Sequence, residues 1–236
     1  MKVTVIGTIA RDTIFTLDGE RIESYGGILY NVVALANLAD ADTTICPVCN
    51  LGEDIYETVV EMLRVYPNLD LRGIRKVPQP NNHVTLIYRS PEDRVEILHH
   101  CVPPVSFEQV EPFLDSSLIL VNFISGFDLS LDTLQRVRRS TRVPIFVDVH
   151  SLTLGTDSTG RRFLRPVEDW PEWVAQADIV QVNRVEAETL MGRELLRRED
   201  LIAMGQEVLG VGVRAVLVTL GSQGALVVFQ GTDGAE

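Results

Sequence analysis

Short apolar runs and stretches of helical period take turns along this chain from its first residues. Val3-Thr4-Val5-Ile6-Gly7 is a run suited to a strand covered on both faces. Residues 28–39 then set Ile28, Val32, Leu35, Ala36 and Ala39 at the spacing of one helix face. Further strand-like segments fall at 43–48, 117–123, 143–149, 177–182, 214–220 and 225–229. Helical ones fall at 54–64, 130–139, 184–192 and 199–210. Ser106 and Gln109 have the spacing of a capping box that would open a helix over 106–114. This rhythm predicts an α/β fold, a doubly wound and mostly parallel sheet with helices on both faces, in one domain over 1–236.

Two segments break the rhythm. Residues 13–24 carry two short strand-like pieces about Asp18-Gly19, a hairpin signal, and 83–100 do the same about Ser90-Pro91-Glu92-Asp93. Paired beside the main sheet they would make a small β-lid; unpaired they are surface excursions. Residues 152–166 read as one long loop.

A formal net charge of −12 narrows the partners. Such a surface repels phosphate backbones and anionic lipid, which argues against nucleic acid and membranes. An anionic ligand would need a local basic or backbone N–H site. No run of about 18 apolar residues is present. The N-terminal apolar stretch is broken by Arg11-Asp12 without a small-residue cleavage pattern, so a cytoplasmic protein is expected. Cys46-Pro47-Val48-Cys49 has the spacing of redox and zinc sites, with His99-His100-Cys101 as further ligands. In a strand, however, residues three apart face opposite sides, so buried, separate thiols are expected.

Four constellations bear on chemistry. Asp12 follows the first strand, where ligands of open α/β sheets bind, and one carboxylate can accept from two adjacent hydroxyls. A turn aspartate would look the same. The lone Gly7 is not the Gly-x-Gly-x-x-Gly of a dinucleotide site. Gly26-Gly27 opens a helix that carries Asn31 in its first turns, either as a plain loop or as part of a polyol clamp. Asn183 and Glu186 have the spacing of a reciprocal helix cap, and the same pair could meet Mg²⁺-bound water or phosphate. Thr219, Gly221 and Gly224 form a tight polar turn, which fits either a nucleotide site or a simple hairpin.

In this order, with Asn50-Leu51-Gly52-Glu53-Asp54 between them, the motifs resemble those of the ribokinase-like, PfkB-type carbohydrate kinases. The likeness spans essentially the whole chain and favours the lid. It implies ATP-dependent phosphorylation of a hydroxyl on a sugar, sugar derivative or nucleoside. By that resemblance Asp12, Gly26, Gly27 and Asn31 bind substrate, while Thr219, Gly221 and Gly224 line the nucleotide. Asn183 and Glu186 would organise phosphates and, indirectly through Glu186, Mg²⁺. A homodimer through the lid is a further expectation. Two departures stand out. His150 replaces the Asn of the family's Asp-x-Asn, with Asp148 matching. The family's Gly-Ala-Gly-Asp, whose aspartate takes the hydroxyl proton, is not found, so no catalytic residue is assigned and turnover by these 236 residues is in question. The domain is accordingly expected to be C-terminally incomplete, and a non-catalytic sugar- or nucleoside-binding protein of the same fold is the alternative.

Overall fold

The structure, a computed structural model, describes residues 1–40, 42–91 and 93–231. In chain order its elements are β1 (Lys2–Ile6), β2 (Ile9–Phe15), β3 (Arg21–Gly27), α1 (Ile28–Leu38), β4 (Thr44–Gly52), α2 (Tyr56–Leu63), β5 (Ile74–Val77), β6 (His83–Tyr88) and β7 (Arg94–His100). There follow α3 (Phe107–Val110), β8 (Leu118–Asn122), α4 (Leu131–Ser140), β9 (Ile145–Asp148), β10 (Leu154–Thr156), β11 (Arg162–Leu164) and α5 (Trp170–Val174). The chain continues through β12 (Ile179–Asn183), α6 (Arg184–Met191), α7 (Arg198–Leu209), β13 (Ala215–Thr219) and β14 (Ala225–Phe229).

Eight strands form the main sheet in the order β14-β13-β12-β9-β8-β1-β4-β5. All neighbours pair in parallel except β13 and β14. The expected doubly wound α/β architecture is present, and its apolar runs explain why. Alternate residues of β1 and β4 enter two different cores: Ile6, Cys46 and Val48 join the side of α3 to α7, while Val3, Val5, Ile45 and Cys49 join the side of α1 and α2. Cys46 and Cys49 therefore face away from each other, and burial pushes their thiols up to about 11 and about 12. No helix among the described residues is long and apolar enough to cross a membrane.

A second sheet of four strands, in the order β3-β2-β6-β7, is the lid. β2 pairs antiparallel with β3 and parallel with β6, so the two hairpins form one surface. Three sequence expectations need correction. Asp12 does not sit in a loop beyond β1; it lies within β2, on the lid. Ser106 precedes α3 without a side-chain cap, because Gln109 turns inward to donate to the Cys49 and Gly73 carbonyls at 3.0 Å each. Residues 152–166 are not one loop: β10 and β11 pair in a hairpin, and Leu98 N–H on β7 donates to Gly160 O at 2.8 Å, tying that hairpin to the lid. β5 was not anticipated. Of the turn at 90–93, Glu92 lies outside the described residues, as do residues 232–236.

Candidate active site

Parallel pairing brings the carboxyl ends of the central strands to one rim. Asn122 of β8 is in register with Asp148 of β9, and Asn183 of β12 with Thr219 of β13. The lid stands over this rim, and two cavities lie between them.

The first, of about 450 Å³, is walled by Asp12 from the lid, Gly27 and Asn31 from the start of α1, and Asn122 from the rim. Val84, Leu86 and Tyr88 of β6 supply apolar surface. The chain takes this shape for local reasons. Gly27 has φ 68° and caps α1, and a Cβ there would strike the Thr8 carbonyl, which accepts from Ile28 N–H at 3.0 Å. Neither the angle nor the approach suits any other residue. Gly26 does not line the cavity; its bare Cα makes room for the Asp12 carboxylate. Asn122 Nδ2 donates to Asn31 Oδ1 at 3.2 Å, while Asn122 Oδ1 is buried without a partner. Burial first, then the nearby Glu96, push the Asp12 carboxyl up to about 6, with Arg94 opposing.

The second cavity, of about 480 Å³, is lined by Asn183 and Glu186 at the start of α6 and by Arg94, His150 and Arg162. Asn183 and Glu186 form the reciprocal cap. Glu186 N–H donates to Asn183 Oδ1 at 2.9 Å, and Asn183 N–H donates to Glu186 Oε2 at 2.8 Å. Only 9% of Glu186 is exposed, and burial, with help from the Asp148 charge, raises its carboxyl to about 7. Asp148 is likewise raised by burial to about 6. His150 has φ 35°, unusual for a side-chain-bearing residue, and its Nδ1 lies 2.9 Å from Ser151 Oγ. Enclosure in the cleft, then Arg94 and Arg162, hold its imidazole below the usual range.

Arg94, Glu96 and His150 line both cavities, which therefore adjoin. The structure brings Asp12, Gly27 and Asn31 together and sets Asn183 and Glu186 next door. Thr219, Gly221 and Gly224 lie on the same rim, beside Asn183, but line neither cavity; Gly221 and Gly224 bracket a one-turn 3-10 segment of the β13–β14 hairpin. Sequence reasoning missed Arg94, Glu96, Asn122 and Arg162. A signal existed for two kinds. Asn122 ends an apolar strand as Asn183 does, and Arg94 and Glu96 alternate on one face of β7.

Residues 130–235 match the model of the pfkB family carbohydrate kinases. No curated protein matches the sequence. Among solved structures, a pyrophosphate-dependent kinase in the ribokinase family, in a sulfate complex, superposes with TM-score 0.80 at 18% identity over 98% of this chain and 77% of its own. That kind of kinase complexed with a pyrophosphate analog and myo-inositol gives 0.78 at 18%, covering 98% and 76%. Arabidopsis thaliana ribokinase complexed with ribose and ATP gives 0.70 at 20%, covering 98% and 75%. The chain thus has the ribokinase fold, and its resemblance to the pfkB carbohydrate kinases rests on residues 130–235 as well as on that fold.

Proposed function

We propose that this chain binds a sugar, sugar derivative or nucleoside in the lid cavity and a phosphate donor in the adjoining one, for transfer of the terminal phosphoryl group to a hydroxyl. One observation carries the reading: Asp12 and Asn31 share a cavity that abuts the one holding Asn183 and Glu186. Asp12, once ionised, accepts hydrogen bonds from two neighbouring hydroxyls. Asn31 and Asn122 read a third, Gly27 lets the backbone come close, and Gly26 leaves room for the Asp12 carboxylate. Ligands of the similar structures, myo-inositol with a pyrophosphate analog and ribose with ATP, are of these two classes.

The donor is read as ATP with Mg²⁺. Glu186 fits such an ion, because its carboxyl, raised by burial and by the Asp148 charge, gains from a nearby cation, as does Asp148, which burial raises. No group of three or more metal-ligating residues exists among the described residues. Mg²⁺ keeps several waters and leans on substrate phosphates, so one or two carboxyls suffice to place it. The ion would screen the donor's charge; the chain's own residues orient the acceptor hydroxyl and exclude water beneath the lid.

The test is a thermal-shift screen of sugars, cyclitols and nucleosides, followed by a phosphate-transfer assay of the binders with ATP and Mg²⁺. Stabilisation by a polyol, lost in Asp12→Ala, with phosphorylated product is expected. Absence of any polyol-induced shift overturns the reading. A binding-only protein of this fold would give the shift without product.

A further inference from the structure

Arg162 opens β11 and lines the second cavity, yet it is 8% exposed. Its Nη1 donates to Thr156 Oγ1 at 3.1 Å. Its Nε and Nη2 are buried with no hydrogen-bond partner, and no ion pair to it exists among the described residues. Burial lowers its affinity for the proton, which Glu96, Asp128 and Cys101 partly restore through space. A guanidinium held this way has given up water without gaining a counter-ion, a costly arrangement unless an anion completes it. Asp128 does not complete it: no hydrogen bond or ion pair joins the two among the described residues, and Asp128 Oδ1 is itself buried without a partner. Its Oδ2 accepts from Ser125 N, Ser125 Oγ and Gly126 N at 2.9 to 3.0 Å, and burial raises its carboxyl toward the neutral form.

The cavity beside Arg162 gathers further groups that can meet an anion. In a chain of net charge −12 it is lined by three arginines, Arg94, Arg161 and Arg162, which offset Asp93, Glu96 and Glu186. The N-terminus of α6, capped by Asn183, opens onto it and adds the positive end of the helix dipole. We propose that Arg162 is the buried receptor for the terminal phosphoanhydride of the phosphate donor, whether that group belongs to a nucleoside triphosphate or to free pyrophosphate. Its planar fork carries two unpartnered nitrogens, Nε and Nη2, and such a fork can meet phosphate oxygens in a way a lysine cannot reproduce. The inference rests on the donor-side reading of this cavity, but its test needs no turnover.

Inorganic pyrophosphate and ATP are titrated calorimetrically into the wild-type chain and into Arg162→Gln and Arg162→Lys, without a polyol. Loss of a charge-assisted bidentate contact predicts affinities weakened by about 10-fold or more in the glutamine variant and less in the lysine variant. Polyol-induced thermal shifts should not change. With no ligand, Arg162→Gln should melt no earlier than wild type, since it removes an uncompensated charge. Equal losses for both ligands point to the shared phosphoanhydride, and a loss for only one names the donor; either supports the proposal. Unchanged pyrophosphate and ATP affinity in both variants, or no binding of either ligand to wild type, overturns it. If anion binding depends on Arg162 while no polyol is phosphorylated, the inference stands and the kinase reading falls. If polyols are phosphorylated by Arg162→Gln with an unchanged donor KM, the reverse holds.

Discussion

The Asp12 carboxylate fills the space that a side chain on Gly26 would need. The two residues are diagonal neighbours on adjacent lid strands, with Asp12 opposite Ser24 and Ala10 opposite Gly26. Gly26 does not have a positive φ, so its backbone would admit alanine. Gly26→Ala should therefore fold, push the carboxylate aside and weaken polyol binding by about 10- to 100-fold, the worth of a hydrogen bond to a charged group. Isothermal titration with a bound polyol, alongside a melting curve, measures both halves.

Asp12 also gives a pH dependence with a definite sign. Its carboxyl is raised to about 6 in the folded chain, so between its unfolded value near 4 and that point the native state binds the extra proton. Stability from this group is present at low pH and is lost as pH rises through about 6. Polyol affinity should move the opposite way, because only the ionised form accepts from two hydroxyls. Asp12→Asn should flatten both profiles over this range, seen in denaturant melts and binding titrations at pH 4.5 to about 7.5. Parallel profiles for wild type and variant would contradict this.

Glu186 carries the same sign and a metal readout. Raised to about 7, it weakens the fold increasingly as pH climbs from its unfolded value through about 7, and the loss levels off above that. Glu186→Gln keeps an acceptor for Asn183 N–H and should stabilise the protein by about 1–2 kcal/mol at pH 8, with little change at pH 4.5. The variant should also lose any thermal stabilisation by Mg²⁺ with ATP. Denaturation at the two pH values, with and without Mg²⁺-ATP, checks it.

His150 sits at φ 35°, where asparagine is better tolerated than histidine. His150→Asn restores the Asp-x-Asn pattern and should gain about 0.5–1 kcal/mol of stability, the scale of relieving one disfavoured backbone conformation. A lower denaturation midpoint would show that the imidazole's bond with Ser151 outweighs the strain.

The fold was legible because strands such as Val3 to Ile6 and Ile179 to Asn183 are apolar in runs, and only a sheet covered on both sides buries such runs. Asn183 and Glu186 were legible because a reciprocal cap is a local device with fixed spacing. Arg162 was not. Its burial follows from where the β10–β11 hairpin docks, and that hairpin leans on Leu98 of the lid, more than 60 residues earlier. Asp12 was read as a rim residue because the strand after Gly7 follows so closely; only pairing with His83 to Ile87 shows that β2 belongs to the lid. Long-range pairing leaves no mark in local periodicity.

Arg94, Glu96 and His150 are walls of two rooms at once. Whatever moves them to suit one guest alters the reception of the other, and thermodynamic reciprocity makes that influence equal in both directions. Affinities for ligands of the two cavities are thus conditional quantities, each meaningful only with the occupancy of the neighbouring room stated beside it.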